Sequence, residues 1–530
     1  MNTELQGEKW TRRARKCKNW CIGLRWRLSR GLFAVPIPLL TPYLGFKVCD
    51  VLIALPFIAT LFGFSTRSAL QGDVPGSGWP PTVGLLLTFF FVVRRNSLLL
   101  SITGISFERG LFYHKISAVS TTLLAGLHGW SHYRASNTSE QGNKQAKVVT
   151  GLVSFGGMVL LLVLSLNSIR RRFFDFFVRA HWILFIIVIV YAVAHGATLA
   201  LFGIVPWMID VVYRIVFQVR MYSHGSSDSS QGNFKQLPRG VTSQGQVTMV
   251  RLGDNMLRIQ FRRERVDTEE IFEYKAGQYV FVCVPEISLL EWHPFSISSS
   301  PAEATVTLHV KVVGDWTQRL RKLTHDAEIG ERVPVNLLAE GPYGGVSVDI
   351  YRPQTYSHFV LLSEGIGVFP LRSVVTWLHH EQASRNRESI DRVHLVWSVY
   401  THTELKTLLA VENLSENDPD NFFVAANPHQ KPSFHNEIAD VFTFDFHVAE
   451  RNPDTDCPVE ADNFVHFGSQ PNYVQILQDI GTDCKRNSVH RVAVLLCTSS
   501  HTSTDIVSTC ITLSKTLQVS FDVHIENFDF

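Results

Sequence analysis

Residues 112–133 read FYHKISAVSTTLLAGLHGWSHY. The stretch is apolar enough to cross a bilayer, yet it carries His114, His128 and His132. A helix turns ~100° and rises ~1.5 Å per residue, so a spacing of fourteen residues amounts to nearly four turns and ~21 Å. His114 and His128 therefore share one face at opposite depths of a membrane. A second stretch, FFDFFVRAHWILFIIVIVYAVAHG at 173–196, repeats the arrangement with His181 and His195, again fourteen apart. A single intramembrane histidine most simply hydrogen-bonds backbone or lines a polar cavity. Four of them in two matched pairs are costly to keep without a function. Neutral imidazole is a good axial ligand for haem iron, and facing helices of a bundle present it naturally. If both stretches run in the same direction, His114 meets His181 near the inner surface and His128 meets His195 near the outer one. Two b-type haems stacked in this way would divide one long electron jump into shorter ones.

Six stretches approach the ~20 apolar residues that a spanning helix needs, at roughly 46–66, 80–100, 111–133, 148–168, 176–197 and 199–219. The second is the weakest, because Arg94 and Arg95 interrupt it. With the N-terminus inside, Arg94, Arg95, Arg109, Arg170, Arg171, Arg172 and Arg220 also fall inside, against Arg67, Arg134, Lys144 and Lys147 outside. The positive-inside rule thus predicts a multi-pass protein with both termini cytosolic. Residues 1–45 read as a basic cytosolic tail rather than a signal peptide. Their run TRRARKCKNWCIGLRWRLSR at 11–30 suits anionic lipid. The sequon Asn137-Thr138-Ser139 falls in an outer loop. A formal charge of +2 over 530 residues argues against a nucleic-acid partner. The eight cysteines form no CxxC pair, and no DxDxDG calcium loop is present.

The haem-binding membrane domain is expected over 46–222, followed by a polar Ser/Gly-rich linker at 223–238, SHGSSDSSQGNFKQLP from 223. Short alternating segments such as QVTMVRL, MLRIQFRR, QYVFVCV and TVTLHVKVV then predict an antiparallel β-barrel over 239–346. From 357 to 530, apolar strands alternate with helical stretches, which predicts an α/β domain with a parallel sheet. The acidic stretch 412–462 lacks clear periodicity and reads as a surface insertion. Within the barrel, EWHPFSISSSP at 291–301 offers Ser296, Ser298 and Ser299 as hydrogen-bond partners beside an aromatic ring. Downstream, Gly365-Ile366-Gly367-Val368-Phe369-Pro370 follows a strand and opens a helix. Glycines there admit a ligand to the backbone, and a helix N-terminus favours phosphate. Such a turn also occurs for packing alone, so its place after the barrel gives it value.

Together these features resemble the NADPH oxidase and ferric reductase superfamily, in which a two-haem membrane domain precedes a ferredoxin–NADP reductase-like module. LEWHPFSISSSP and VKVVGDWTQRL look closer to the oxidase branch. The resemblance implies an enzyme that moves electrons from NADPH or NADH through FAD and two haems to oxygen, with ferric chelate as the alternative acceptor. A non-catalytic membrane subunit is the rival from another class. Regulatory protein partners are left open. By resemblance His293, Pro294, Phe295, Ser296 and Ser299 hold the flavin, with Ser296 near the isoalloxazine and Lys311 near the diphosphate. Gly365, Gly367 and Pro370 contact the nicotinamide nucleotide, and Cys497 lies beside the nicotinamide. Phe528, or its rival Phe530, covers the flavin, and His132 borders the oxygen site. Several positions depart from the family pattern. CGP is here Cys497-Thr498-Ser499, the Thr or Ser before Pro370 is Phe369, and Ser363 stands at a glycine position. Two arginines expected around the 2′-phosphate are Tyr400 and Gln470. These changes predict weaker discrimination against NADH.

Overall fold

Apolar runs broken only by small polar residues satisfy their backbone groups best as helices. A computed structural model of the chain describes residues 46–48, 50–92, 107–136, 145–213, 220–222, 247–264, 271–289, 291–384, 387–401, 404–405, 441–450 and 465–526. The basic tail, Arg94, Arg95, the sequon at Asn137, the 223–238 linker, Phe528 and Phe530 lie outside them. The chain divides into two units, Met1–Ile215 and Val216–Phe530.

In the first unit a π-helical turn, Asp50–Ala54, leads into α1 (Leu55–Leu70). It is followed by α2 (Val74–Phe90), α3 (Phe107–Ser136), α4 (Gln145–Leu164), α5 (Phe174–His195) and α6 (Leu201–Tyr213). Asp73 starts α2 by accepting a hydrogen bond from the Gly76 amide at 3.0 Å. Among the described residues three helices are long and apolar enough to cross a membrane: Asp50–Leu70, Lys147–Leu164 and Phe176–His195. The other three fall short for separate reasons. α2 has 17 residues and contains Pro80 and Pro81, and α6 has 13 residues. α3 is long, but serines, threonines and histidines dilute its apolar character. Its polar groups turn inward, with Thr121, Thr122 and Ser131 buried, as are Ser77 and Thr88 of α2. Outward-facing positions instead carry Leu152, Leu160, Trp182, Ile183, Ile186 and Val190. A surface this apolar is at home in lipid, not water.

The second unit begins with two four-stranded antiparallel sheets, ordered β1-β8-β4-β5 and β6-β3-β2-β7. Their strands are β1 (Arg220–Tyr222), β2 (Val247–Arg251), β3 (Met256–Arg262), β4 (Tyr279–Cys283), β5 (His293–Ser296), β6 (Thr305–Lys311), β7 (Arg332–Pro334) and β8 (Leu337–Tyr343). A bridge between Ile297 and Leu308 links the sheets, and Leu257, Val280, Val306 and Leu337 fill the space enclosed. The helix α7 (Asp315–Lys322) follows β6.

A six-stranded parallel sheet completes the unit, ordered β12-β11-β10-β9-β13-β14. It contains β9 (His358–Glu364), β10 (Arg392–Val399), β11 (Phe442–Val448), β12 (Val465–Phe467), β13 (Arg491–Cys497) and β14 (Ser520–Ile525). Alternate residues of β9 enter two cores. Phe359 and Leu361 join that of α8 (Val368–Ala383), while Val360 and Leu362 join that of α9 (Tyr473–Arg486) and α10 (Ser500–Leu517). β11 lies inside the acidic stretch expected to be a surface insertion. Its FTFDFHV alternates aromatic and polar residues, and it pairs in parallel with β10 along seven residues. That two-residue period is a strand signal, masked in the sequence by its acidic flanks.

Candidate functional site

The first candidate site lies between α3 and α5. Close helix packing joins α2 to α3 and α4 to α5, whereas α3 and α5 are not among the closely packed pairs. Across that gap the imidazoles meet. The His114 and His181 ring centres are 6.5 Å apart, and those of His128 and His195 are 5.9 Å apart. Two metal–imidazole bonds of about 2 Å each, plus the ring radii, require about 6 Å between centres. Histidines that bind a metal through one nitrogen usually engage the other in a hydrogen bond, which fixes the tautomer. Here His114 Nδ1 lies 2.9 Å from the Thr88 carbonyl, and His195 Nδ1 lies 2.7 Å from the Lys147 carbonyl. Both carbonyls demand an N–H at Nδ1, which leaves Nε2 as a lone pair. His128 Nδ1 is 3.0 Å from the Ser77 hydroxyl. His181 Nδ1 is buried and has no partner among the described residues.

Two glycines make room around the second pair. A Cβ at Gly78 would stand 3.0 Å from the His128 ring, and one at Gly151 would stand 2.7 Å from that of His195. Ring spacing, engaged Nδ1 atoms and cleared helix faces all fit bis-imidazole haem. His132, one turn beyond His128, is half-buried. The loop from α5 to α6 is only Gly196 to Ala200.

The second candidate site is a cleft of about 1030 Å³ at the carboxyl ends of the parallel strands. Strand order reverses direction between β9 and β13, and ligands of such sheets bind beside that switch point. Gly365, at a positive φ of 51°, turns the chain from β9 towards α8. Gly367 packs so closely on β13 that an added Cβ would lie 2.9 Å from Cys497 Sγ. The cleft collects Gly365, Gly367, Cys497, Lys311, Tyr400 and Gln470, but not Pro370, which is buried in α8. Burial, with Glu526 and Glu364 nearby, pushes the Cys497 thiol far above its ordinary range, so it stays neutral. Four carboxylates unremarked in the sequence also enter, Glu364, Glu404, Asp505 and Glu526. Glu364 accepts from the Ser499 amide at 2.8 Å and the Thr502 hydroxyl at 2.9 Å. Glu404 pairs with Lys311 at 3.3 Å.

The β5 edge supplies the third element. His293, Pro294, Phe295 and Ser296 are all half-buried on the outermost strand of their sheet, open to a ligand. Phe295 stacks on Trp316 of α7 with ring centres 5.8 Å apart. Ser299, expected to face the cofactor, is instead fully buried. Its hydroxyl accepts from the Thr307 amide at 3.0 Å and lies 2.9 Å from the Tyr274 hydroxyl. In this position it ties β6 to Tyr274. Phe369 stacks on His309 with ring centres 3.8 Å apart, joining α8 to β6.

Comparison with known proteins adds two family matches. Residues 77–192 match the ferric reductase like transmembrane component, and residues 242–347 match an FAD-binding domain. Ferric reduction oxidase 8 of Arabidopsis thaliana is 27% identical over 67% of this chain and 44% of its own length. NADPH oxidase 1 of Mus musculus is 27% identical over 47% of this chain and 44% of its own. A superoxide-generating NADPH oxidase heavy chain of Dictyostelium discoideum is 26% identical over 72% of this chain and 69% of its own. The chain thus spans about half the length of the first two relatives.

Proposed function

We propose that the chain is a member of the NADPH oxidase and ferric reductase superfamily and carries electrons across a membrane from NAD(P)H through FAD and two b-type haems. The acceptor in this reading is oxygen, reduced to superoxide on the far side. The observation that carries it is the pair of facing imidazole couples at metal-bridging distance, with three Nδ1 atoms engaged. When bound, FAD would take up a hydride and the haem irons would relay its electrons one at a time.

His114 with His181 would hold one haem, and His128 with His195 the other. The β5 edge from His293 to Ser296 would hold the flavin, with Ser296 at its reactive ring. The Gly365–Gly367 turn would admit the dinucleotide phosphates, and Cys497 would present a neutral, poorly hydrated surface to the nicotinamide. That neutrality suits hydride transfer, because water and a competing thiolate are both kept away. His132 would border the acceptor. Six spans with both termini cytosolic are the topology that the basic residues support.

A second reading, ferric-chelate reduction, is favoured by the α5–α6 connection of Gly196 to Ala200, which is too short to cap the second imidazole pair. An uncapped edge admits a bulky chelate as readily as oxygen. The experiment is an absorbance spectrum of the purified protein before and after anaerobic addition of NADH or NADPH, followed by product assays. Haem reduction supports transmembrane transfer. Bound haem that stays oxidised favours the non-catalytic subunit suggested by Phe369, Thr498 and Ser499. Ferric reduction that is indifferent to superoxide dismutase and to oxygen removal, without superoxide, replaces oxygen by ferric chelate.

A further inference from the structure

The cleft beside the glycine turn has an unusual charge for a dinucleotide site. Glu364, Glu404, Asp505 and Glu526 all line it, and Lys311 is the one lysine or arginine among the described lining residues. Glu404 is the carboxylate that reaches over Gly365 of the turn. A Cβ built on Gly365 would lie 3.5 Å from its Oε1. The same oxygen faces Lys311 Nζ at 3.3 Å, and Oε2 accepts from the Tyr400 amide at 3.4 Å. Its own amide donates to the Thr401 hydroxyl at 3.1 Å, and the next residue, Leu405, is buried in the core. The side chain is thus held from both ends at the carboxyl end of β10, the second strand of the parallel sheet in chain order.

In doubly wound folds an acidic residue beyond the second strand bonds the adenosine ribose 2′-hydroxyl, whereas a 2′-phosphate needs an arginine there. Tyr400, at the end of β10, supplies no cation, and its side chain is 76% exposed. Gln470 across the cleft supplies none either. A 2′-phosphate would bring about −1.5 to −2 charges to a carboxylate whose one lysine partner among the described lining residues is Lys311. We propose that Glu404 selects the electron donor, favouring NADH over NADPH by accepting from the ribose 2′-hydroxyl and repelling a 2′-phosphate. This rests on the electron-transfer reading and deepens it.

The test is anaerobic flavin reduction in the full-length protein, mixed rapidly with NADH or NADPH, for the wild type, Glu404→Gln and Glu404→Asp. In Glu404→Gln the efficiency ratio of NADPH to NADH rises about ten-fold, chiefly through NADPH affinity. Glu404→Asp keeps the charge and stays near the wild-type ratio. Added salt narrows the wild-type preference, as screening of an exposed charge requires. An unchanged ratio in Glu404→Gln overturns the proposal. So does an equal gain with both dinucleotides, which would make Glu404 merely a plug over the turn. Should Glu404→Gln fail to fold, a wild-type ratio that is flat with salt overturns it instead. If neither dinucleotide reduces the wild-type flavin, the electron-transfer reading itself falls, and this inference with it.

Discussion

The two units place their polar groups in opposite ways. The helical unit turns Ser77, Thr88, Thr121 and Ser131 inward and presents apolar side chains outward. The strand-rich unit buries its apolar cores and gathers charge at the mouth of the cleft. Under the proposed function the contrast follows what each site would hold. Imidazoles that keep a resident group need only spacing and orientation, and the Thr88 and Lys147 carbonyls provide the latter. A cleft for a diffusing dinucleotide must also choose among charged candidates, so the sign of every wall residue matters. The first site can therefore tolerate little change, while the second can drift in preference and still work.

The largest effect is expected in the helical unit. In a His128→Leu, His195→Leu double variant, the second haem should be lost and transmembrane electron flow abolished. Haem per protein, measured by pyridine haemochrome, should fall by about half. Full retention of haem would remove these residues from the ligand set. The next effect belongs to the cleft alone. A Cβ in Gly367→Ala would run into the Cys497 backbone carbonyl as well as its sulfur. Backbone cannot yield as a flexible side chain can, so the turn must shift. Displacements of that kind cost about 10²-fold in efficiency. Flavin reduction should fall by that order with either nucleotide while haem content stays unchanged. If haem is lost as well, the two sites are not independent.

Much of the helical site was legible in the sequence, because a fixed helical rise converts a repeated spacing of fourteen into depth and facing. The hydrogen bonds to Nδ1 were not legible. Two of the three nearest acceptors are backbone carbonyls on other helices, and any residue type would supply them. The glycine turn and Cys497 were visible as motifs. Glu404 was missed because a lone glutamate after a strand has no local signature, and only packing brings it over Gly365. The burial of Ser299 was hidden for a related reason. A serine offers the same hydroxyl to a ligand or to a neighbouring strand, and here the Thr307 amide of β6 takes it.

A third effect is moderate. Tyr400→Arg should restore a cation near the expected 2′-phosphate position. A charge-assisted contact contributes about 1.5–3 kcal/mol, so NADPH efficiency should rise about ten-fold relative to NADH. Steady-state kinetics with both donors measures it. Combining Tyr400→Arg with Glu404→Gln should then raise the ratio further than either alone. An unchanged ratio in the single variant would place the adenosine end of the nucleotide elsewhere in the cleft.

The smallest effect concerns acid stability of the parallel sheet. Burial holds His447 below the ordinary histidine range, helped by the neighbouring His466 and opposed by Asp445. Burial also lowers His358, against the attraction of Asp391 and Asp483 and together with Arg392. Between the ordinary value of about 6.5 and the lower folded value, the unfolded chain binds a proton that the folded chain refuses. Stability is therefore present above that window and declines as pH falls through it. Asp445 acts in a separate, more acidic window. Burial pushes its carboxyl up, but the hydrogen bond and charge of His394, with His466 and His447, outweigh this and hold it below the ordinary range. Its contribution is lost only as pH falls below about 4. His447 also lies 3.2 Å from the Ser469 hydroxyl, beside Gln470 on the cleft wall, so its replacement tests that rim as well. Thermal melting of the full-length protein, followed by flavin fluorescence, should show a midpoint that drops between pH 7.5 and 5.5. In His447→Gln the drop should be smaller, by roughly 1–2 °C per kcal/mol for a unit of this size. A wild-type midpoint that stays level over that range would mean that neither His447 nor His358 gains a proton on unfolding.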